Sequence, residues 1–302
     1  MEDKKGVPLF LIEKLNKQYG EEITSKILNG YSQNRVVSLR VNTIKATSQE
    51  ICNELLRNNI EFEKVSFCDE ALVIKNTNEQ EIKELDIYKN GSIYLQSLSS
   101  MLPPIILEPK ENEDILDMTA APGGKTTQIA ALTNNKAHIT ACEMNNIRIE
   151  KLKYNVEKQG ATSVSILKED SRRLNDYFAF DKILLDAPCS GSGTIELENE
   201  KTYNGFTEKL LEKTTQSQLT LLKEALKILK PGHEMVYSTC SILQEENEDI
   251  ISKVIKGTKV EVVPIEIQGD IPKLPCKMEG ALCVEPTKYY EGFFVAKLKK
   301  IK

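Results

Sequence analysis

None of the seven cysteines, at positions 52, 68, 142, 189, 240, 276 and 283, stands in a Cys-x-x-Cys pair. That odd, scattered set argues against a disulfide framework or a zinc site and fits reduced thiols. No apolar run approaches the roughly 20 residues needed to cross a bilayer, so no membrane span is expected. The opening Met1-Glu-Asp-Lys-Lys-Gly6 is polar and lacks a signal-peptide hydrophobic region, which leads to the expectation of a cytoplasmic protein. Low-complexity tracts and obvious repeats are missing as well. Excess positive charge is missing too. A net charge of −5 gives no support to non-specific polyanion binding, although it leaves room for a local basic groove. The basic clusters (Arg35, Arg40 and Lys45; Arg148, Lys151 and Lys153; Lys168, Arg172 and Arg173) read as solvated surface.

What remains is ordinary globular composition. At 302 residues, 40% hydrophobic and 28% charged, the chain is long enough for a well-filled core and two domains. Residues 7–30 read as a pair of helical patterns, with Leu11, Ile12 and Leu15, then Ile23, Ile27 and Leu28, at helical spacing. A strand pattern follows over 36–41, and the capping box Thr47-Ser-Gln-Glu50 opens a helix to 58. Then come strands around 62–65 and 71–74, a helix near 80–85 and a strand over 92–95. This β-α-β-β-α-β order is that of a small α+β ferredoxin-like module, and residues 1–100 are assigned to it. Pro103-Pro104 and Glu108-Pro-Lys-Glu-Asn112 read as punctuation before the next region.

From residue 113 the rhythm becomes strand and helix alternation. Strands read at 114–118, 138–143, 164–167, 182–186 and 235–238, with helices near 126–133, 147–159 and 207–230. The last helix is expected to stop at Pro231-Gly232. Such alternation implies an α/β fold over 101–302, a doubly wound parallel sheet. Strands at 260–265 and 292–298 are expected to close it, one of them antiparallel.

The first of these strands runs into Asp117-Met-Thr-Ala-Ala-Pro-Gly-Gly-Lys-Thr126, a turn of small residues before a helix, where a ligand can touch backbone N–H groups. Walker A fails because Thr119 stands where its first glycine belongs, and Gly-x-Gly-x-x-Gly is absent. A loop for a nucleoside without a pyrophosphate remains, which points to S-adenosylmethionine. Its expected contacts are Thr119, Ala120, Ala121, Pro122, Gly123, Gly124 and Lys125. Glu143 ends the second strand, 19 positions beyond Gly124, and can accept both ribose hydroxyls. Arg148 opens the following helix and can pair with the methionine carboxylate. Asp170, at the end of the third strand, can accept from the adenine amino group. Any one of these could be a helix cap or loop residue, but three at successive strand ends make that reading much weaker.

Two further strand patterns, Lys182-Ile-Leu-Leu-Asp-Ala-Pro-Cys189 and Glu234-Met-Val-Tyr-Ser-Thr-Cys240, each stop at a small-residue turn that presents a thiol. Beside a methyl donor, such thiols suggest methylation at C5 of cytosine. That carbon is a poor nucleophile until a thiolate adds at C6 and turns the ring into an enamine; a proton is then lost from C5 and the thiol expelled. Asp186, three residues before Cys189, is placed to bond N3 of the ring and counts among the cofactor-lining residues too. To donate at N3 it must keep a proton, which burial would favour. Either thiol could attack on these grounds, given activation from the ordinary pKa of about 8.5. Cys142 reads as a small buried hydrophobe, and Cys52, Cys68, Cys276 and Cys283 have no catalytic context.

The blocks Ala120-Ala-Pro-Gly-Gly-Lys-Thr126, Asp186-Ala-Pro-Cys-Ser-Gly-Ser-Gly193 and Tyr237-Ser-Thr-Cys-Ser241, with Glu245-Glu-Asn-Glu248 after them, resemble the Nop/Sun family of RNA cytosine-5 methyltransferases. The likeness extends to Ser38-Leu-Arg-Val-Asn-Thr43, Gly91-Ser-Ile-Tyr-Leu-Gln96 and Gly292-Phe-Phe-Val-Ala-Lys-Leu298, nearly the whole chain. It implies a Rossmann-like methyltransferase sheet preceded by an RRM-like module that contacts RNA, ribosomal or transfer. It implies Cys240 as the nucleophile and Cys189 as the residue that assists breakdown of the adduct. DNA cytosine-5 methyltransferases attack from a Pro-Cys instead, but their Pro-Cys-Gln continuation is missing here. The chain departs from the pattern at His233, where relatives usually carry a second Gly, and at Cys283 and Val284, where an Arg often precedes the Pro. A monomer without a metal is expected. No segment reads as an added RNA-binding domain, so substrate choice is expected to rest on the N-terminal module and the groove beside it.

Overall fold

The structure, a computed structural model, describes residues 6–175 and 177–302. The polar opening at residues 1–5 lies outside the described residues. Helix α1 (Leu9–Tyr31) runs as two segments joined at Gly20, whose φ of 78° and ψ of 166° interrupt the helix and account for the paired pattern. Its Leu11, Leu15, Ile27 and Leu28 are buried with Leu116, Ile183 and Phe294 of the large sheet, not in the small module that follows in sequence.

That module comprises β1 (Ser38–Val41), α2 (Ser48–Arg57), β2 (Phe62–Val65), β3 (Cys68–Ile74), α3 (Glu79–Glu84), α4 (Asp86–Lys89) and β4 (Ile93–Leu95). The Thr47 capping box starts α2 as its sequence requires: the Thr47 hydroxyl accepts from the Glu50 N–H, and the Glu50 carboxylate accepts from the Thr47 N–H. The strands pair antiparallel in the order β2-β3-β1-β4, a ferredoxin-like arrangement. Alternating apolar residues give it a core of its own, built on Leu39, Ile51, Leu55, Leu72 and Ile93.

Helix α5 (Leu98–Leu107) leads into β5 (Asp114–Asp117), α6 (Gly124–Leu132), β6 (His138–Cys142), α7 (Asn146–Gln159), β7 (Val164–Leu167) and β8 (Phe180–Asp186). After these come α8 (Glu208–Ile228), β9 (Leu229–Thr239), α9 (Glu248–Ile255), β10 (Val260–Val263), β11 (Leu282–Val284) and β12 (Phe293–Lys300). The strand order is β10-β12-β9-β8-β5-β6-β7, with β11 beside β12. Strands β5 to β9 pair parallel, and β12 is antiparallel to β9, β10 and β11. The chain leaves β5 toward β6 and β7, then crosses to β8 on its other side. At such a reversal the carboxyl ends of a doubly wound sheet open a crevice.

Two local expectations are corrected. Pro103 and Pro104 lie inside α5, whose ten residues include eight that are buried. Ser97 caps this helix, and Gln96 Nε2 donates to the Ser100 carbonyl that Pro104 has no N–H to satisfy. Burial and a substitute donor outweigh the proline cost. Helix α8 stops at Ile228, and Pro231-Gly232 fall within the start of β9. Leu229 pairs with Phe180 before the register jumps to Glu234 opposite Lys182, and Gly232 takes a φ of 86° in that irregularity. No helix among the described residues is long and apolar enough to cross a membrane.

Candidate active site

Two cavities meet at the carboxyl ends of the central strands. One, of about 360 Å³, is lined by Thr119, Ala121, Glu143, Arg148, Asp170, Asp186 and both Cys189 and Cys240, among others. Glu143 follows β6, accepts the Asn145 N–H at 2.9 Å and pairs with Arg148 at 3.3 Å. Arg148 also donates to the Ala121 carbonyl at 2.6 Å, which ties α7 to the glycine-rich loop. Asp170 accepts the Arg172 N–H at 3.0 Å and its guanidinium at 2.7 Å; it caps a short 3-10 turn while facing the cavity. Those Arg172 hydrogen bonds hold its carboxyl below the usual range. Cys142 lies against the same space as a buried hydrophobe, its thiol pushed up to about 12 by burial.

The other cavity, of about 600 Å³, lies between the small module and the large sheet. Thr119, Ala121 and Asp186 line both spaces, whereas Ala120, Pro122, Gly124 and Lys125 line only this one. Gly123, the N-cap of α6, lines neither and sits against Leu152. The expected cofactor loop therefore divides, with Lys125 directed away from Glu143 and Arg148. Lys125 Nζ donates to Asp186 Oδ2 at 2.7 Å, and Ser238 Oγ donates to Asp186 Oδ1 at 2.7 Å. Burial works against the Lys125 ammonium, but the charge and hydrogen bond of Asp186 outweigh it and raise the pKa. Both Asp186 oxygens act as acceptors, and the proton donor beside them is Lys125. Asp117, buried at the end of β5, accepts from Thr126 Oγ1 at 2.7 Å, and burial raises its carboxyl to about 6.

The two thiols come together with Sγ atoms 3.0 Å apart. The hydrogen bond to Cys240, followed by burial and the charges of Cys240 and Glu246, holds the Cys189 thiol well above its ordinary value. Cys189 thus keeps its proton, and either sulfur could be the donor in this contact. The turns that carry them are zipped together: the Ser192 and Ser241 hydroxyls are 2.8 Å apart, and the Gly193 N–H donates to the Cys240 carbonyl at 3.0 Å. A Cβ on Gly193 would lie 1.8 Å from the Gly292 carbonyl oxygen, so this crossing demands glycine.

Several site residues had no role assigned on sequence grounds. Glu246, fully buried, accepts from the Ser190 N–H at 2.8 Å, the Ser190 hydroxyl at 2.5 Å and Thr214 Oγ1 at 2.7 Å. Asn247 accepts from Thr239 Oγ1 at 2.5 Å and donates to the Ser241 carbonyl at 2.9 Å. The acidic block after Cys240 is thus the clamp on both thiol turns. Its signal was present in the sequence as charged and amide residues just past a buried strand. Arg35 and Arg40 are also not solvated surface. Arg35 Nη2 donates to the carbonyls of Gly193 and Ile195 at 3.3 and 3.2 Å, while Arg40 donates to Gln96 Oε1 at 3.0 Å and Thr127 Oγ1 at 3.2 Å.

Residues 104–299 match the family model described as 16S rRNA methyltransferase RsmB/F, and residues 7–80 match the ferredoxin-like domain of RsmF/B-like methyltransferases. The ribosomal RNA small subunit methyltransferases F of Shewanella loihica and Shewanella piezotolerans are 36% and 35% identical over 275 and 273 residues. Those alignments take in 87% of this chain but 56% and 57% of the relatives, so the chain spans a little over half the length of the curated relatives it matches. Among solved structures, a methyltransferase homolog protein from Pyrococcus horikoshii is 30% identical with a TM-score of 0.82, covering 98% of this chain and 100% of that one. NSun6 from Pyrococcus horikoshii, solved with SFG, is 26% identical with a TM-score of 0.87 and 99% coverage of each chain.

Proposed function

The chain belongs to the 16S rRNA methyltransferase RsmB/F family, and on that footing we propose that it methylates C5 of a cytosine in RNA through a covalent Cys–C6 adduct. The pair of thiols 3.0 Å apart, beside an Asp186 that lines both cavities, is the observation that carries this reading. The similarity to ribosomal RNA small subunit methyltransferases F favours ribosomal RNA of the small subunit over transfer RNA.

S-adenosylmethionine fits the smaller cavity by its donor set, and SFG, the ligand of the NSun6 structure, is an analogue of it. Glu143 would take the ribose hydroxyls, Arg148 the methionine carboxylate and Asp170 the adenine amino group. When bound, the cofactor supplies a methyl group on a sulfonium. The cytosine would enter through the larger cavity, between the small RNA-contacting module (residues 1–100) and the catalytic domain (residues 101–302), and would reach Cys240 of the smaller one where the two spaces share Asp186.

Cys240 adds to C6. The charge that gathers at N3 and O2 falls to the Lys125–Asp186 pair, with the ammonium as the proton source. C5 takes the methyl group while N3 returns its proton to Lys125; water then accepts the C5 proton, and the C6–S bond breaks with its electron pair on sulfur. Cys189, holding its proton against Cys240, donates it to the departing sulfur. A stacked cytosine hides C6, so the target is single-stranded or flipped out.

Incubation with RNA and labelled S-adenosylmethionine should leave label at C5 of cytosine, and its absence there would overturn the reading. Cys189→Ala should accumulate an RNA-linked species on denaturing gels, and Cys240→Ala should not. The reverse pattern would exchange the two roles.

A further inference from the structure

Tyr289 lines both the larger cavity and a neighbouring open groove of about 640 Å³, so its ring stands between the two. Two ammonium groups accompany it. Lys75, just past β3 of the small module, places Nζ 3.4 Å from the phenolic oxygen and 5.1 Å from the ring centre. The shorter distance to the oxygen puts this charge toward the hydroxyl end of the ring. Lys288 Nζ lies 4.7 Å from the ring centre. Hydrogen bonds from Lys288 and Lys75 hold the phenol below its ordinary pKa. Lys75 shares its charge with Glu63, but Lys288 has no carboxylate partner among the described residues. No other aromatic ring stacks on Tyr289 among the described residues.

The platform is held in place by its backbone. The Lys288 N–H donates to Gln33 Oε1 at 2.9 Å, and the Lys288 carbonyl accepts from the Val36 N–H at 3.0 Å. Thr287 Oγ1 accepts from the N–H groups of both Tyr289 and Tyr290 at 3.1 Å. Little ordering is left to be done when a ligand arrives. Of the acids nearby, Glu196 and Glu291 face Arg35 at 3.6 and 3.5 Å, Glu63 pairs with Lys75, and Asp270 lines the open groove with Lys288. A half-buried tyrosine ring at the cavity mouth with two ammonium groups beside it suits a nucleotide, with the base against the ring and the phosphate on the ammonium groups.

We propose that Tyr289, Lys75 and Lys288 form a subsite for the nucleotide adjacent to the target cytosine on a single-stranded RNA. The subsite rests on the reading of the larger cavity as the entrance for the cytosine. It draws one cation from the small module and the rest from the C-terminal segment, so RNA would bridge the two units at the cavity mouth. Stacking of this kind tolerates any base, so the subsite would contribute affinity with little sequence preference.

The test is steady-state methylation of a single-stranded RNA by the full chain, joined to binding of the same RNA with 2-aminopurine at each neighbour of the target in turn. Tyr289→Ala should raise KM for RNA roughly ten-fold or more, as loss of one stacked base predicts, and leave KM for S-adenosylmethionine in place. Tyr289→Phe should restore most of that loss, because the ring is kept. Changing Lys75 and Lys288 together to Gln should lower the salt slope of RNA binding by up to about two charges. Wild-type protein should quench 2-aminopurine at one neighbouring position, and Tyr289→Ala should not. A kcat/KM for Tyr289→Ala equal to wild type, or no quenching at either neighbour, overturns the subsite. Should the wild type methylate no cytosine, the functional reading falls, and the quenching arm still decides whether Tyr289 holds a base.

Discussion

The smaller cavity is walled by one unit alone, the carboxyl ends of β5 to β9 with the turns and helices that follow them. The larger is walled by segments from across the chain: Arg35 to Ser38, Tyr94 to Ser97, the loop from Asp117 to Lys125, and Tyr289 with Glu291. The first is a space among neighbours in one sheet. The second exists only because distant segments pack, as with Arg35 and Glu291, 256 residues apart in sequence. Their charge pairs differ accordingly. Guanidinium–carboxylate pairs within the sheet unit (Glu143–Arg148, Asp170–Arg172) line the smaller cavity, whereas the larger is lined by Arg35 paired with the distant Glu196 and Glu291 and by the Lys125–Asp186 pair. If the smaller cavity holds the methyl donor as proposed, the two can be altered separately, although Thr119, Ala121 and Asp186 belong to both.

The sharpest way to break that division is to remove Lys125. Lys125→Met should lower kcat about a hundred-fold or more, the scale of a lost proton donor, while S-adenosylmethionine still raises the melting temperature. Glu143→Ala is the counterpart: KM for S-adenosylmethionine should rise roughly ten-fold, the order expected for loss of a charge-assisted hydrogen bond, with kcat at saturation little altered. Thermal shift by S-adenosylmethionine, measured beside RNA kinetics, separates the two. Loss of that shift in Lys125→Met would mean that the cavities are not distinct sites.

The same division explains what could be read without coordinates. Glu143 and Asp170 follow strand ends and Arg148 opens the helix after one of them, where hydrophobic periodicity alone puts them on one edge of a parallel sheet, and they do face one cavity. Cys189 and Cys240 follow the same logic, since β8 and β9 are paired neighbours. Arg35 and Arg40 were misread because a cluster of basic residues carries no sign of burial; Arg40 is 2% exposed between β1 and the first turns of α6. Lys125 was grouped with the loop that precedes it. The helical start at Gly124 rotates its side chain out of the donor cavity, and loop composition does not report that rotation. The home of α1 was equally hidden. Its apolar stripe fits either core, and only tertiary packing assigns it to the large sheet.

A second prediction concerns the clamp below the thiols. Glu246→Ala removes the acceptor of the Ser190 N–H and Thr214 hydroxyl, two buried donors. Unfolding by urea should show a loss of about 3 kcal/mol, from roughly 1–3 kcal/mol for each donor left unpaired. Glu246→Gln keeps an acceptor oxygen and should recover part of it. A loss confined to activity, with stability intact, would show that the clamp acts on Cys189 by charge and not by holding its turn.

The smallest expected effect contrasts two acids, one on each cavity. Burial raises the Asp117 carboxyl from 3.8 to about 6, whereas Arg172 lowers that of Asp170. A raised carboxyl means that the native state binds more protons than the unfolded chain between about pH 4 and 6. The stability it contributes is complete below pH 4 and is lost as pH climbs through 6. Asp170 has the opposite sign, its contribution present above the ordinary carboxylate pKa and lost as pH falls through its lowered value. The stability of wild type relative to Asp117→Asn should therefore decline by about 2 kcal/mol between pH 4 and 6, at 1.36 kcal/mol per unit of pKa difference. That of wild type relative to Asp170→Asn should rise with pH across the acid range instead. Urea unfolding of both variants from pH 3 to 7 measures the two slopes. Slopes of the same sign would show that the carboxylates of the two cavities do not sit in the opposed environments described here.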